Sequence, residues 1–361
     1  MRIITFVNQK GGCGKTITAV NLAGAFSGAG KRVLFIDIDP QAHATSAFGL
    51  NIQDPSKSSY AIFDAFLGRA DKDLRPLMQH RYKNLWVVGS HLSLSTMEQK
   101  MANRESAILA FSRVMSANDL SGFDYIFIDT PPSLGFLTLN AIVAADSMVV
   151  PLDVSLFSLN GVTQIKKVLD ISSRMGLRKA EVNYLITMFD GRSNFAKNFF
   201  KRAQATFGDG LFTTVVRSNV KLREAALEGK VIFEYAPYAN GAKDYMSLAS
   251  ELAPDIKDAK LDFRPEEDTA SVTSEGPETS FSLHAPEAGS VYITGTFNNW
   301  QVANEYMMEK SADGLWVKKL RLDPGRHLYK FVIDGVWKED PGCESMEDDM
   351  VGGRNSVKLI A

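Results

Sequence analysis

Cysteine is nearly missing from this chain: 361 residues hold two, Cys13 and Cys343, which excludes a disulfide framework and a cysteine-based metal cluster. No uninterrupted apolar run reaches the roughly 18 to 20 residues that a membrane-spanning helix needs. Between Met1 and the glycine-rich stretch stands little more than the apolar run IITFV, which leaves no room for the charged, apolar and cleavage regions of a secretory signal. These absences predict a cytoplasmic protein. What is present, 45% hydrophobic and 10% aromatic residues, can bury a large core and suggests about two domains.

The stretch DFRPEEDTASVTSEGPETS, 262–280, is poor in large apolar residues and rich in acidic, Ser, Thr and Pro residues, the composition of a linker. It predicts domains at 1–261 and 281–361. The net charge of −2 hides an asymmetry: residues 1–264 carry 31 basic and 25 acidic groups, a net of +6, and residues 265–361 carry 9 and 17, a net of −8. An anionic partner for the first half is one reading, and ordinary surface charge is the other.

The first half alternates apolar runs (IITFV, VLFIDID, NLWVVG, YIFIDT, SMVVPL, NYLITMF) with helical patterns such as TAVNLAGAFSGAG. Continuous apolar strands between helices imply a doubly wound α/β domain with a mainly parallel sheet. The end of the chain shows alternating strands with tight turns (SVYITGTF, LWVKKLRL, HLYKFVIDG, NSVKLIA) and a hairpin signal at Asp334-Gly335, which read as a small β-sandwich of immunoglobulin-like type.

VNQKGGCGKTITAV, 7–20, follows the first strand and opens a helix, the context of a phosphate loop. The usual pattern G-x-x-x-x-G-K-[ST] fails at its first position, which is Gln9, and a second lysine, Lys10, stands just inside it. Gly11, Gly12, Cys13, Gly14, Lys15, Thr16 and Ile17 are the predicted nucleotide-binding residues. The glycines let backbone N–H groups face phosphate oxygens, Lys15 reaches the β and γ phosphates, and Thr16 ligates Mg²⁺. Cys13 reads as a small apolar filler. Asp37 and Asp39 in VLFIDIDPQAHAT, and Asp129 in YIFIDTPPSLG, end later strands, where open α/β sheets hold their ligands. Taken singly, each could be only a helix cap. Beside the loop, Asp129 fits the magnesium shell, and Asp39 is expected there too and as the group that orients attacking water.

KGGCGKT, DIDPQAHAT and IDTPPSLGFLTLNAIVAAD resemble the ParA/MinD group of deviant Walker A ATPases, nearest to the short, Soj-like ParA type, over residues 1–252. The resemblance implies ATP with Mg²⁺, and a catalytic set of Lys10, Lys15 and Asp39 in which Lys10 crosses a homodimer interface to the partner's ATP. Two facing triphosphates repel unless cations from both chains lie between them. Ile17 and Asn160 depart from the family pattern, which more often has Thr and an acidic residue there. The resemblance further implies sequence-independent DNA binding by the ATP-bound dimer, nucleoid association, and a ParB-like activator or cargo adaptor. Arg192, Lys197, Lys201, Arg202, Arg217, Lys221 and Arg223 are the candidate DNA contacts, and solvated helix faces are the alternative. Arg217-Ser218 stands where the family commonly has Pro-Arg. A membrane anchor of the MinD type is not expected, because no basic amphipathic helix ends the chain.

VYITGTFNNWQ, DGLW, GRHLYKFVIDGVWKEDP and GGRNSVKL resemble the glycogen-binding module of the AMP-activated kinase β subunit and other family 48 carbohydrate-binding modules. That resemblance implies an α-glucan partner, glycogen or a maltooligosaccharide, stacked on Trp300 and Trp337 and hydrogen-bonded by Lys330 and Asn355. A flat indole suits the C–H face of a sugar. Trp316 begins a strand and reads as core. Gly353 and Arg354 depart from the pattern beside Asn355, and protein docking remains the other use of such modules. Two functions stand: an ATP-switched dimer that positions a cargo on DNA and is tethered to glucan, or a glucan-binding regulatory scaffold of glycogen metabolism that uses ATP only to control dimerisation.

Overall fold

The computed structural model describes the chain except residues 69–72, 102–105, 156–179, 258, 264–276, 299, 301, 303–305, 312, 323, 344, 349–353 and 361. Asn160, Gly353 and most of the expected linker lie outside the described residues. The chain divides into two compact units, Met1–Glu266 and Glu267–Ala361.

The first unit is built on eight strands: β1 (Arg2–Phe6), β2 (Val33–Asp37), β3 (Gln79–Tyr82), β4 (Leu85–Val88), β5 (Tyr125–Asp129), β6 (Ser147–Asp153), β7 (Glu181–Phe189) and β8 (Leu211–Arg217). Their order is β3-β4-β2-β5-β1-β6-β7-β8, parallel throughout except for the antiparallel pair β3·β4. β2 shows why the apolar runs form this sheet: Val33 and Phe35 enter the core on one face, Leu34 and Ile36 a second core on the other. After β1 the chain moves to β2 on one side and later to β6 on the other, so a crevice opens at the carboxyl end of β1. Helix α1 (Lys15–Gly28), buried along most of its length, starts there.

Two strands, β3 and β8, were not among the expected runs. β3 is QHRY, three polar residues of four on an edge, and β8, LFTTVVR, is the other edge. The first unit also runs past 261, because Asp262 N–H bonds the Gly28 carbonyl (2.9 Å) and Phe263 stacks on Phe233 with ring centroids 5.8 Å apart.

The second unit has a sheet of order β10-β13-β16-β15, with β14 on β13, and a three-stranded sheet β11-β12-β9. The strands are β9 (Glu278–His284), β10 (Val291–Gly295), β11 (Glu309–Lys310), β12 (Leu315–Arg321), β13 (Gly325–Ile333), β14 (Val336–Lys338), β15 (Met346–Asp348) and β16 (Arg354–Ile360), all antiparallel to their neighbours. Inner residues of both sheets (Phe281, Leu283, Ile293, Trp316, Phe331) share one core, the packing of a β-sandwich. Asp334 (φ 48°) and Gly335 (φ 82°) make the two-residue turn between β13 and β14. Trp316 is buried, its Nε1–H donating to the Ala285 carbonyl at 2.9 Å. No helix among the described residues is long and apolar enough to cross a membrane.

Candidate functional site

The loop between β1 and α1 is held at both shoulders. Asn8 Nδ2 donates to the Pro151 carbonyl (2.6 Å) and its Oδ1 accepts from the Lys10 N–H (3.0 Å), while Thr187 Oγ1 donates to the Cys13 carbonyl (2.8 Å). Gly12 (φ 76°) and Gly14 (φ 85°) occupy the left-handed region; at Gly12 a Cβ would meet open space, so backbone conformation is what demands glycine there. The loop thereby wraps the start of α1, whose first N–H groups have no partner within the helix and favour an anion. The Cys13 thiol is buried and donates to the Lys10 carbonyl (3.2 Å), and burial pushes its pKa up, as suits a filler rather than a thiolate.

The acidic strand ends converge on the same point. Lys15 is buried, and Thr16 Oγ1 donates to Asp129 Oδ2 at 2.8 Å. Asp37, beside Asp129 in the sheet, is consumed by its own loop, accepting from the Asp39 N–H (3.0 Å), the Thr45 N–H (2.9 Å) and the Thr45 hydroxyl (2.7 Å). Asp39 accepts from the Gln41 N–H (3.0 Å) on one oxygen, and among the described residues the second has no partner. Burial pushes the Asp37 carboxyl up to about 6, and burial with repulsion from Asp37 holds Asp129 well above the carboxylate range. The other oxygen of Asp129, Oδ1, is buried without a hydrogen-bond partner. An orphaned acidic oxygen beside a threonine hydroxyl fits a divalent cation, whose charge removes the cost of ionising both groups.

Lys10 does not turn into this cradle. Its ammonium pairs with Asp153 (2.5 Å) and Ser155 (2.9 Å) at the end of β6. Beside the loop lies a cavity of about 140 Å³ walled by Gly14, Ile17, Thr187, Met188, Asn219 and Tyr245 among others. Apart from Gly14 and Ile17, those residues escaped the sequence reading. The one available signal was position, since Met188 is the last residue but one of β7 and so lies near the carboxyl end of its strand; in the structure its φ is 53°, rare for a bulky residue. Arg217, expected to contact DNA, lies on the wall of this cavity with its guanidinium forked onto Asp244 (Nη2–Oδ1 2.5 Å, Nε–Oδ2 3.0 Å).

Of the other candidate DNA contacts, Lys197, Lys201 and Arg202 stand exposed on helix Asn194–Phe207, and Arg223 is exposed on helix Val220–Leu227. Arg192 pairs with Asp190 (2.9 Å) and Lys221 with Glu224 (2.7 Å).

In the second unit, Trp300, Lys330, Trp337 and Asn355 meet around a shallow depression of about 380 Å³, together with Leu328. The indoles lie 6.3 Å apart at 42°, and Trp337 is 47% exposed. Trp300 takes φ 61°, closed by its N–H to the Gly295 carbonyl (2.9 Å). Arg354 reaches Glu339 at 3.5 Å.

A parallel sheet with a glycine loop at its switch point, opening α1 beside two acidic strand ends, defines a P-loop nucleoside triphosphatase. The AAA domain family matches residues 1–180, and the glycogen recognition site of AMP-activated protein kinase matches residues 279–360. The sporulation initiation inhibitor protein Soj of Bacillus subtilis is 35% identical over 253 residues, 70% of this chain and 98% of Soj. Among solved structures, cobyrinic acid a,c-diamide synthase of Mycobacterium smegmatis with an ATP analogue and magnesium superposes with TM-score 0.60 at 24% identity, over 73% of this chain and 98% of that one. A putative plasmid partition protein of Borrelia burgdorferi bound to AMPPNP gives 0.59 at 21%, over 70% and 99%. The chain belongs to the Soj/ParA family of partitioning ATPases, and its C-terminal unit resembles the glycogen-recognition module of AMP-activated protein kinase.

Proposed function

We propose that this protein is an ATP-switched homodimer that binds DNA without sequence preference, positions a cargo, and is tethered to an α-glucan by its C-terminal module. ATP with Mg²⁺ is its ligand: Gly11 to Ile17 cradle the phosphates, Lys15 neutralises them, and Thr16, Asp129 and Asp39 are the groups that would hold the ion. The cation supplies charge neutralisation at the phosphates. Asp39 orients the attacking water, the positioning that phosphoryl transfer demands. The neighbouring cavity suits the nucleotide base.

The observation that carries the dimer is the placement of Lys10. Its ammonium rests on Asp153 and Ser155, outside its own cradle and about one-third exposed (37%), so it remains available to a partner's phosphates. Trp300, Trp337, Lys330 and Asn355 support glucan binding by gathering two rings and two polar groups on one face. A ParB-like activator or cargo adaptor would act on the dimer, in the cytoplasm at the nucleoid.

One observation favours the second reading, a glucan-bound scaffold that uses ATP only to dimerise: Arg217 is forked onto the largely buried carboxylate of Asp244, which holds it back from phosphate contact. Sedimentation of duplex DNA with glycogen-bound protein separates the two. DNA that sediments only with ATP supports the positioning switch, and DNA that stays in solution at low salt with ATP supports the scaffold.

A further inference from the structure

Arg81 has no part in the site as described, yet it joins the two helices that lead away from it. It is the extra residue of a bulge in the β3·β4 pair, where the register shifts between His80 and Tyr82, and bulges re-aim side chains. Its Nε donates to the Phe48 carbonyl (2.7 Å) and its Nη2 to the Gly229 carbonyl (2.9 Å). Those carbonyls close two helix ends. Helix His43–Ala47 ends through Gly49 (φ 72°), with Leu50 N–H on the Thr45 carbonyl (3.0 Å). Helix Val220–Leu227 ends through Gly229 (φ 66°), with Lys230 N–H on the Ala225 carbonyl (2.9 Å). The two glycine turns touch so closely that a Cβ on Gly229 would lie 2.6 Å from Gly49 Cα.

Each helix begins at the nucleotide site. The first follows the Asp39 loop and sends Thr45 to Asp37, while Asn219, Val220, Leu222 and Arg223 of the second line the cavity beside Gly14. We infer that Arg81 is a positioning residue: one guanidinium, bridging two helix ends whose carbonyls attract a cation, sets the Asp39 loop in register with the cavity wall. The inference rests on the proposed role of Asp39. With Arg81 absent, the phosphates and the water-orienting carboxylate would no longer share one frame, while the P-loop contacts remain.

Full-length Arg81→Ala and Arg81→Lys, assayed for ATP turnover and thermal melting, test this. Both should lower kcat by about tenfold, a fraction of the ~10²-fold that a 1 Å misplacement can cost, and move KM by no more than about threefold. Lysine should fail to rescue, because it keeps the charge but not the fork. Folded Arg81→Ala with wild-type kcat, full rescue by lysine, or a loss seen only in KM and melting temperature would overturn the inference. Asp39→Ala assayed alongside keeps the two claims apart: full turnover in that variant removes the role of Asp39, whereas Arg81 is judged on its own kcat.

Discussion

Truncating Trp337 to alanine should cost the protein its glucan and leave its fold intact. The ring is 47% exposed on the short strand β14, and its nearest ring is Trp300 at 6.3 Å, so little core packing is lost. A substitution of that kind changes folding stability by about 0.5 kcal/mol or less. Losing one stacking platform should cost about 1 to 3 kcal/mol of binding, by analogy with bases stacked on aromatic rings. That is roughly a 5- to 150-fold rise in Kd. Trp300 adds an internal control, because its φ of 61° strains any residue with a Cβ. Holding it there costs about 1 to 3 kcal/mol, a strain that functional sites tend to store. Trp300→Gly should therefore melt above Trp300→Ala while binding glucan equally poorly. Trp316→Ala should do the reverse, costing about 3 to 5 kcal/mol of folding through loss of a buried aromatic. Isothermal titration with maltoheptaose and thermal melts of the full-length variants read all four. Full affinity in Trp337→Ala, or a Trp316→Ala that loses sugar but not stability, would refute the argument and leave the module as a docking domain.

Lys15→Ala should abolish nucleotide binding, measured with a fluorescent ATP analogue, since it removes the buried cation of the cradle. Asp39→Ala should bind ATP, form the dimer and turn over slowly; rapid phosphate release by that variant would reassign the group. Reversing Lys197, Lys201 and Arg202 to Glu should weaken binding to any duplex and flatten its salt dependence by about 0.9 per lost phosphate contact, and an unchanged slope would clear that helix of DNA contact.

The phosphate loop and the strands beneath it were legible because their chemistry is local. Glycines, lysine and threonine sit within a few residues, and β2 reads VLFID because both of its faces are buried. β3 was not legible, since an edge strand of Gln, His, Arg and Tyr carries no apolar period. β8, LFTTVVR, is rich in β-branched residues but has no polar–apolar alternation and runs into a basic stretch, and Arg217 drew attention as a charge when its partner, Asp244, lies on a later helix. The cavity wall gathers Gly14, Met188, Asn219 and Tyr245, which only the tertiary fold brings together. Lys10 and Asp153 are likewise 143 residues apart. The aromatic face was legible through its family resemblance, and Leu328 could have been added, because it shares a strand face with Lys330 at period two. Phe263 shows the limit of composition: amid acidic and polar neighbours it still packs on Phe233 and Tyr82.

The central claim is that two nucleotide sites face each other and that Lys10 leaves Asp153 to reach the partner's phosphates. The most direct measurement is the solution mass of wild type and Lys10→Ala by light scattering with a non-hydrolysable ATP analogue and Mg²⁺, and again with ADP. Wild type should be a dimer with the analogue and a monomer with ADP, while Lys10→Ala binds the analogue and remains a monomer in both. A wild type that stays monomeric with the analogue bound, or a Lys10→Ala that dimerises as well as wild type, would contradict the account.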